Sequence, residues 1–328
     1  MISRLLVLAA LLPLAMLAGV AFGGSTVDPG SLVSAIAHPH AGGDAATIVW
    51  ALRIPRVVIA AVAGASLALA GVVLQALLRN PLVDPYLTGV SSGAGAAIAI
   101  AVTLGVTPVA VPPLGFASGL ATAILVAALA RRGSGLDPER LILAGVSLSA
   151  LLSACVTLAI ERLARGVASE EILAWLAGSL AGRGWTELAA AAPEAIAGAV
   201  IAAAAIPALN VLRLGERRAA ALGVDVTRLQ WALLVAATLL TSAAVALAGL
   251  VGFVGLIVPH LARRIVGADL RALVPASILG GAALVVLADA LARTLFAPAE
   301  LPLGVLLAVV GVPVFLFLYL RGAARAYA

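Results

Sequence analysis

The chain has no lysine, and all 20 of its basic residues are arginine. A Walker-type phosphate loop needs a lysine ammonium to reach the β- and γ-phosphates of a nucleotide, so this polypeptide is not expected to hydrolyse ATP by itself. Charge of either sign is scarce, at 11% of 328 residues, against about 25% in an ordinary soluble domain. The single cysteine, Cys155, can form no internal disulfide, and no redox compartment follows from it. The three histidines, His38, His40 and His260, stand in no H-E-x-x-H spacing, and no Ser-His-acid arrangement can be argued from residue order. Segments of about ten residues alternating apolar and polar are also missing, which argues against a transmembrane barrel. These absences set enzyme chemistry aside and leave a transporter or channel.

What is present is apolar: 63% of residues are hydrophobic and the mean hydropathy is +1.19. Uncharged runs recur that are long enough to cross a hydrocarbon core roughly 30 Å thick as helix. They predict spans near 5–22, 57–78, 89–106, 114–130, 141–160, 188–209, 231–251, 253–262, 272–292 and 303–320. The eighth is too short to cross alone and reads as a tilted or broken element beside the glycine-rich GLVGFVGLIVP, sheltered by protein or a wet cavity. The first 23 residues imitate a secretory signal, but their apolar run exceeds the usual h-region, so a retained first helix is expected. A formal charge of +5 would suggest nucleic acid in a soluble protein. Here the arginines sit at the ends of apolar runs and set orientation instead. With the N-terminus cytoplasmic, fourteen arginines fall inside and six outside, which predicts both termini in the cytoplasm.

Inside the ninth run, Asp289 precedes Arg293 by four residues, so the two share a helix face and pair; this reading is favoured over a proton-coupled carboxylate. Gly145, Ser149, Ser153 and Thr157 repeat every four residues along the fifth run. That small, polar stripe suits either a wet path or close packing with hydroxyls bonded back to i−4 carbonyls. Gly304 and Gly311 on the last span leave the same two readings open. Two longer connections interrupt the tight turns. One, about 161–187, reads as a partly re-entrant helix on the outer side. The other, about 210–230, lies on the inner side, where AAAL before Gly223 reads as a short helix with a glycine stop.

Four long runs carry a family resemblance: RIPRVVIAAVAGASLALAGVVLQALLRNPLVDPYLTGVSSGAGAA (53–97), RLILAGVSLSALLSA (140–154), AAALGVDVTRLQ followed by GLVGFVGLIVPHLARRIVG (219–267), and ELPLGVLLAVVGVPVFLFLYLR (300–321). In order, over nearly the whole chain, they resemble the FecCD family, the permease subunits of type II ABC importers for vitamin B12, haem and ferric siderophores. The resemblance implies an all-α membrane protein like the vitamin B12 importer permease. About ten transmembrane helices per chain would form a single permease domain over 1–328. It implies as partners a second copy of the chain, two cytoplasmic ATPase subunits and a periplasmic binding protein in a bacterial inner membrane. No nucleic acid is involved, no cofactor or metal is bound by this chain, and ATP and Mg belong to the ATPase.

Residue by residue, the resemblance places binding-protein docking on Arg53, Arg56 and Arg293, whose planar forks suit carboxylates. It places the cytoplasmic gate on Asn80 and Leu82, and on Pro138 and Glu139, which depart from the small hydroxyl residues found there in the family. ATPase coupling falls to Glu216, Arg217, Arg218, Ala221, Leu222, Gly223 and Val224. The stripe Gly145, Ser149, Ser153 and Thr157 would line a translocation path between two copies. The expected cargo is a metal chelate, haem first, then ferric siderophore or corrinoid; His38 and His40 read as a solvated turn rather than haem ligands. An ion-coupled secondary transporter or a passive channel is the alternative.

Overall fold

The computed structural model describes residues 2–23, 28–38, 43–86, 89–107, 109–132, 135–163, 173, 176–213, 215–297 and 299–326. In chain order the helices are α1 (Ile2–Ala21), α2 (Pro29–Ala37), α3 (Asp44–Thr47), α4 (Ile54–Leu77), α5 (Val90–Thr103), α6 (Val111–Leu129), α7 (Pro138–Leu163), α8 (Trp185–Leu212), α9 (Glu216–Ala221), α10 (Val226–Ala248), α11 (Val254–Val266), α12 (Leu270–Thr294) and α13 (Leu303–Ala326). A π-helical turn, Ile48–Arg53, joins α3 to α4. A minimal antiparallel ribbon, β1 (Arg131–Arg132) against β2 (Gly135–Leu136), precedes α7.

Among the described residues seven helices are long and apolar enough to cross a membrane, and α5 and α13 contribute shorter apolar stretches. Each predicted apolar run falls on a helix. The second extends further upstream than expected, because α3 and the π turn continue into α4 without a break. The eighth run is α11, whose 13 residues rise only about 20 Å. It begins after Phe253, a left-handed residue at φ 67°, and its first half is buried, which supplies the protein shelter expected of it.

Helices apolar on every side belong in the interior. Accordingly α4 and α10 form the centre, with α4 packed on α10, α11 and α12, and α8 on α10. α1 and α7 lie at the periphery and expose most of their apolar side chains. Glycine sets the closest crossings: a Cβ at Gly64 of α4 would overlap the Gly281 carbonyl of α12, and one at Gly71 the Gly255 carbonyl of α11. Small residues seven apart on one helix thus let two backbones approach, the usual device where lipid removes any hydrophobic drive between helices.

The contacts sort the arginines into two ends. Arg4 donates to the Ile265 carbonyl, Arg79 pairs with Glu216, and Arg213 donates to the Ala268 carbonyl at one end. Arg53, Arg56 and Arg293 gather at the other. Aspartates cap helices at the arginine-rich end: Asp225 accepts from the Arg228 N–H, and Asp269 from the Arg271 N–H. Such caps satisfy N–H groups that a helix start leaves open.

Candidate functional site

At the arginine-poor end the π turn delivers Arg53 and the first turn of α4 delivers Arg56, both beside the end of α12. Asp289 is the hub. The Arg56 Nη2 donates to its Oδ1 at 2.9 Å, and the Arg293 Nε lies 3.0 Å from its Oδ2. The other side of the Arg56 fork holds Glu300, with Nη1 and Nη2 donating at 3.1 and 2.9 Å. Arg53 and Arg293 then turn to the end of α1. The Arg53 Nη1 donates to the carbonyls of Val20 at 2.8 Å and Ala21 at 3.0 Å, and the Arg293 Nη2 to that of Gly19 at 2.9 Å. Those are carbonyls the helix end cannot satisfy within itself.

The pairing of Asp289 with Arg293 is as expected. Arg53 is 4% and Arg293 3% exposed, and both donate to carbonyls at the α1 terminus. Arg56 is the one nearer solvent, and its partner Glu300 is the more exposed of its two carboxylates.

At the arginine-rich end, the loop after α4 is locally built. Arg79 takes φ 49°, and Asn80 accepts through Oδ1 from the Leu82 N–H at 2.9 Å, fixing a tight turn. Beneath it the buried Gln75 donates to the carbonyls of Val83 and Gly255 and accepts from Arg263 at 2.9 Å. Asp84 is buried against the start of α11, accepting from the Tyr86 N–H at 2.7 Å. Glu139 stands apart on the first turn of α7, exposed, where its N–H and that of Arg140 are capped by Asp137. The structure thus brings Asn80 and Leu82 together in one loop and leaves Pro138 and Glu139 on another element.

The short helix α9 matches the predicted AAAL helix. Gly223 adopts φ 84°; its N–H donates to the Ala220 carbonyl and that of Val224 to Ala219, each at 3.0 Å. This pair of bonds is a Schellman stop, and Val224 packs on the core beside Ala219. Glu216 at the other end holds Arg79 and accepts from Gln230, both at 3.2 Å. Arg217, Arg218 and Ala221 project outward, and Leu222 is 66% exposed. The result is a tethered helix with an apolar tip.

The α7 stripe divides. Gly145 is buried against Gly89, and Ser149 presents a buried hydroxyl with no hydrogen-bond partner among the described residues. Ser153 and Thr157 are exposed, with the Thr157 hydroxyl donating to the Ser153 carbonyl at 2.9 Å. On α13 both glycines are contact points: a Cβ at Gly304 would stand 2.5 Å from the Ala177 carbonyl, and one at Gly311 would stand 3.0 Å from the Phe253 Cβ. His38 is an exposed C-cap of α2. His40 and most of 161–175, including the expected re-entrant helix start, lie outside the described residues.

Sequence reasoning missed Glu300, Gln75, Asp84 and Glu194. The last, inside the predicted span 188–209, is half-buried on α8 and accepts from the Ser242 hydroxyl at 2.8 Å. A polar residue within an apolar run is a visible signal, and Gln75 inside 57–78 gave it too; Asp84 gave none, since its burial depends on α11 folding back over it.

Apolar helices packed by glycine around a buried centre, seven of them among the described residues long enough to cross a membrane, define a helical membrane protein. Residues 11–321 match the FecCD transport family, and the chain belongs to it. It is 42% identical over 275 residues to the cobalamin import system permease protein BtuC of Halobacterium salinarum, covering 84% of this chain and 73% of that one. To the hemin transport system permease protein HmuU of Yersinia pestis it is 39% identical over 288 residues, covering 85% of each. A solved inward-facing ABC transporter described as of the metal-chelate type superposes with a TM-score of 0.82 at 33% identity, covering 97% of this chain and 99% of that one. The chain is therefore a multi-pass inner membrane permease of a type II ABC importer for metal chelates. It works with a substrate-binding protein and with separate subunits that hydrolyse ATP.

Proposed function

We propose that two copies of this permease, each a single domain over 1–328 with both termini cytoplasmic, form a path at their interface flanked by α7 and α13. Two ATPase chains sit on the arginine-rich side and a periplasmic binding protein on the other. The chain itself binds no cofactor or metal. ATP binding closes the ATPase pair and moves α9, and the constrictions at the two ends of the path alternate. The observation that carries this reading is α9 itself: an exposed apolar tip at Leu222 on a helix tied through Glu216 and Arg79 to the end of the central helix α4. A push on that tip is transmitted to the centre of the bundle.

Within this scheme, Glu216 through Val224 couple to the ATPase. Asn80 and Leu82, facing Pro138 and Glu139 of the second copy or the same one, form the inner gate. Gly145, Ser149, Ser153 and Thr157 line the path, two of them exposed in the single chain as a shared wall requires. Docking centres on Arg56, with Arg53 and Arg293 holding the ground beneath it. An acidic side chain of the binding protein exchanges with Glu300 for the Arg56 fork. The cargo is a metal chelate moved from periplasm to cytoplasm, haem before ferric siderophore or corrinoid.

Cargo identity is tested by purifying the permease with its native companions, identifying them by mass, and recording the absorption spectrum of what remains bound to the binding protein. A haem Soret band is the expected result. A corrin or ferric-siderophore spectrum with no haem contradicts the ranking.

A further inference from the structure

Beneath the loop after α4, four elements line an open pocket of about 280 Å³ at the arginine-rich end. Three arginines from separate segments line it: Arg79 just past α4, Arg213 at the end of α8, and Arg263 in the last turn of α11. Gln75 and the apolar Ala76, Pro81, Leu270 and Leu273 make up the rest of the wall. Two of the three are held by neutral oxygens. Arg263 donates to the Gln75 Oε1 at 2.9 Å, and Gln75 is itself pinned by the Val83 and Gly255 carbonyls. Arg213 donates to the Ala268 carbonyl. Among the described residues no carboxylate pairs with either, although the two are near enough for each charge to act on the other.

The carboxylates nearby are committed. Asp269 caps α12 and accepts from Asn210 at 3.3 Å, and Glu216 holds Arg79 and Gln230. Like charges brought together and oriented by neutral acceptors, without a counter-ion of their own, are the arrangement that awaits one. Several guanidinium forks around one cavity suit an anion with several oxygens on one centre, since each fork donates two parallel bonds. Scattered orientation-setting arginines need no such convergence.

We propose that this cavity is a binding site for a phosphate-bearing anion, either the phosphodiester of a lipid headgroup or a soluble phosphate. The binding itself stands apart from the importer mechanism and is measured without partners.

In one arm, inorganic phosphate is titrated into the detergent-purified permease by calorimetry. In the other, the permease in nanodiscs of phosphatidylglycerol or of phosphatidylcholine is released and its retained lipid counted by native mass spectrometry. Saturable binding in the first arm identifies a soluble phosphate, and selective retention of phosphatidylglycerol in the second identifies a headgroup. Arg213→Gln, at an exposed helix end where folding is safe, is expected to weaken whichever is seen at least tenfold. Arg263→Lys should weaken it less, and Arg271→Gln, outside the cavity, not at all. Absence of binding in both arms overturns the proposal, as does binding that Arg213→Gln leaves unchanged.

Discussion

Gly223 is the residue on which α9 depends. At φ 84° with nothing near its missing side chain, the cost of substitution is conformational rather than steric. Gly223→Ala is expected to destabilise the turn by about 1 kcal/mol and Gly223→Val by more, since left-handed backbone disfavours any Cβ and a branched one most. The overall fold survives, and the loss shows as ATP hydrolysis uncoupled from uptake when both are measured in proteoliposomes. Normal coupling in Gly223→Val removes the case for α9. At the opposite end, Arg56 is expected to carry docking. Arg56→Gln leaves Asp289 its pairing with Arg293, so the bundle holds while affinity for the binding protein falls about tenfold, in line with one charge-assisted hydrogen bond. Glu300→Gln, which removes the competing carboxylate, should tighten docking at low salt. Surface plasmon resonance with both variants checks this, and unchanged affinity in Arg56→Gln contradicts it.

Among the elements, the crossing of α4 over α12 at Gly64 and Gly281 leaves no room for a side chain. Gly64→Leu is expected to cost about 3 kcal/mol, the upper end of overpacking, and to lower the thermal midpoint in detergent; an unshifted midpoint would show that the two helices are free to part. The membrane-crossing helices were largely legible in the sequence, whereas α2, α3 and the π turn were not. Long apolar runs mark membrane crossings, and Gly223 after AAAL marked a stop that the backbone confirms. Where each helix turns its polar residues was not legible. That Arg53 and Arg293 stand at span ends is visible in the sequence, but the carbonyls of α1 that accept from them come from a segment distant in sequence. Asp84 is a polar residue of a loop until α11 returns to bury it, and what Gln75 bonds to inside its span is set by the same return. For the same reason the three-arginine cavity is invisible in the chain, where Arg79, Arg213 and Arg263 are far apart.

For the whole molecule, the decisive property is a division of labour. The chain has no lysine to hold a nucleotide's phosphates, and as a permease of its family it works with separate subunits that hydrolyse ATP; in the proposed scheme α9 is where that work enters the bundle. The measurement that tests this most directly is ATP hydrolysis and metal-chelate uptake in proteoliposomes, with the permease alone and then with its ATPase and binding protein added. The account predicts neither activity from the permease alone and both from the complete assembly. Nucleotide turnover or uphill uptake by the isolated permease would contradict it.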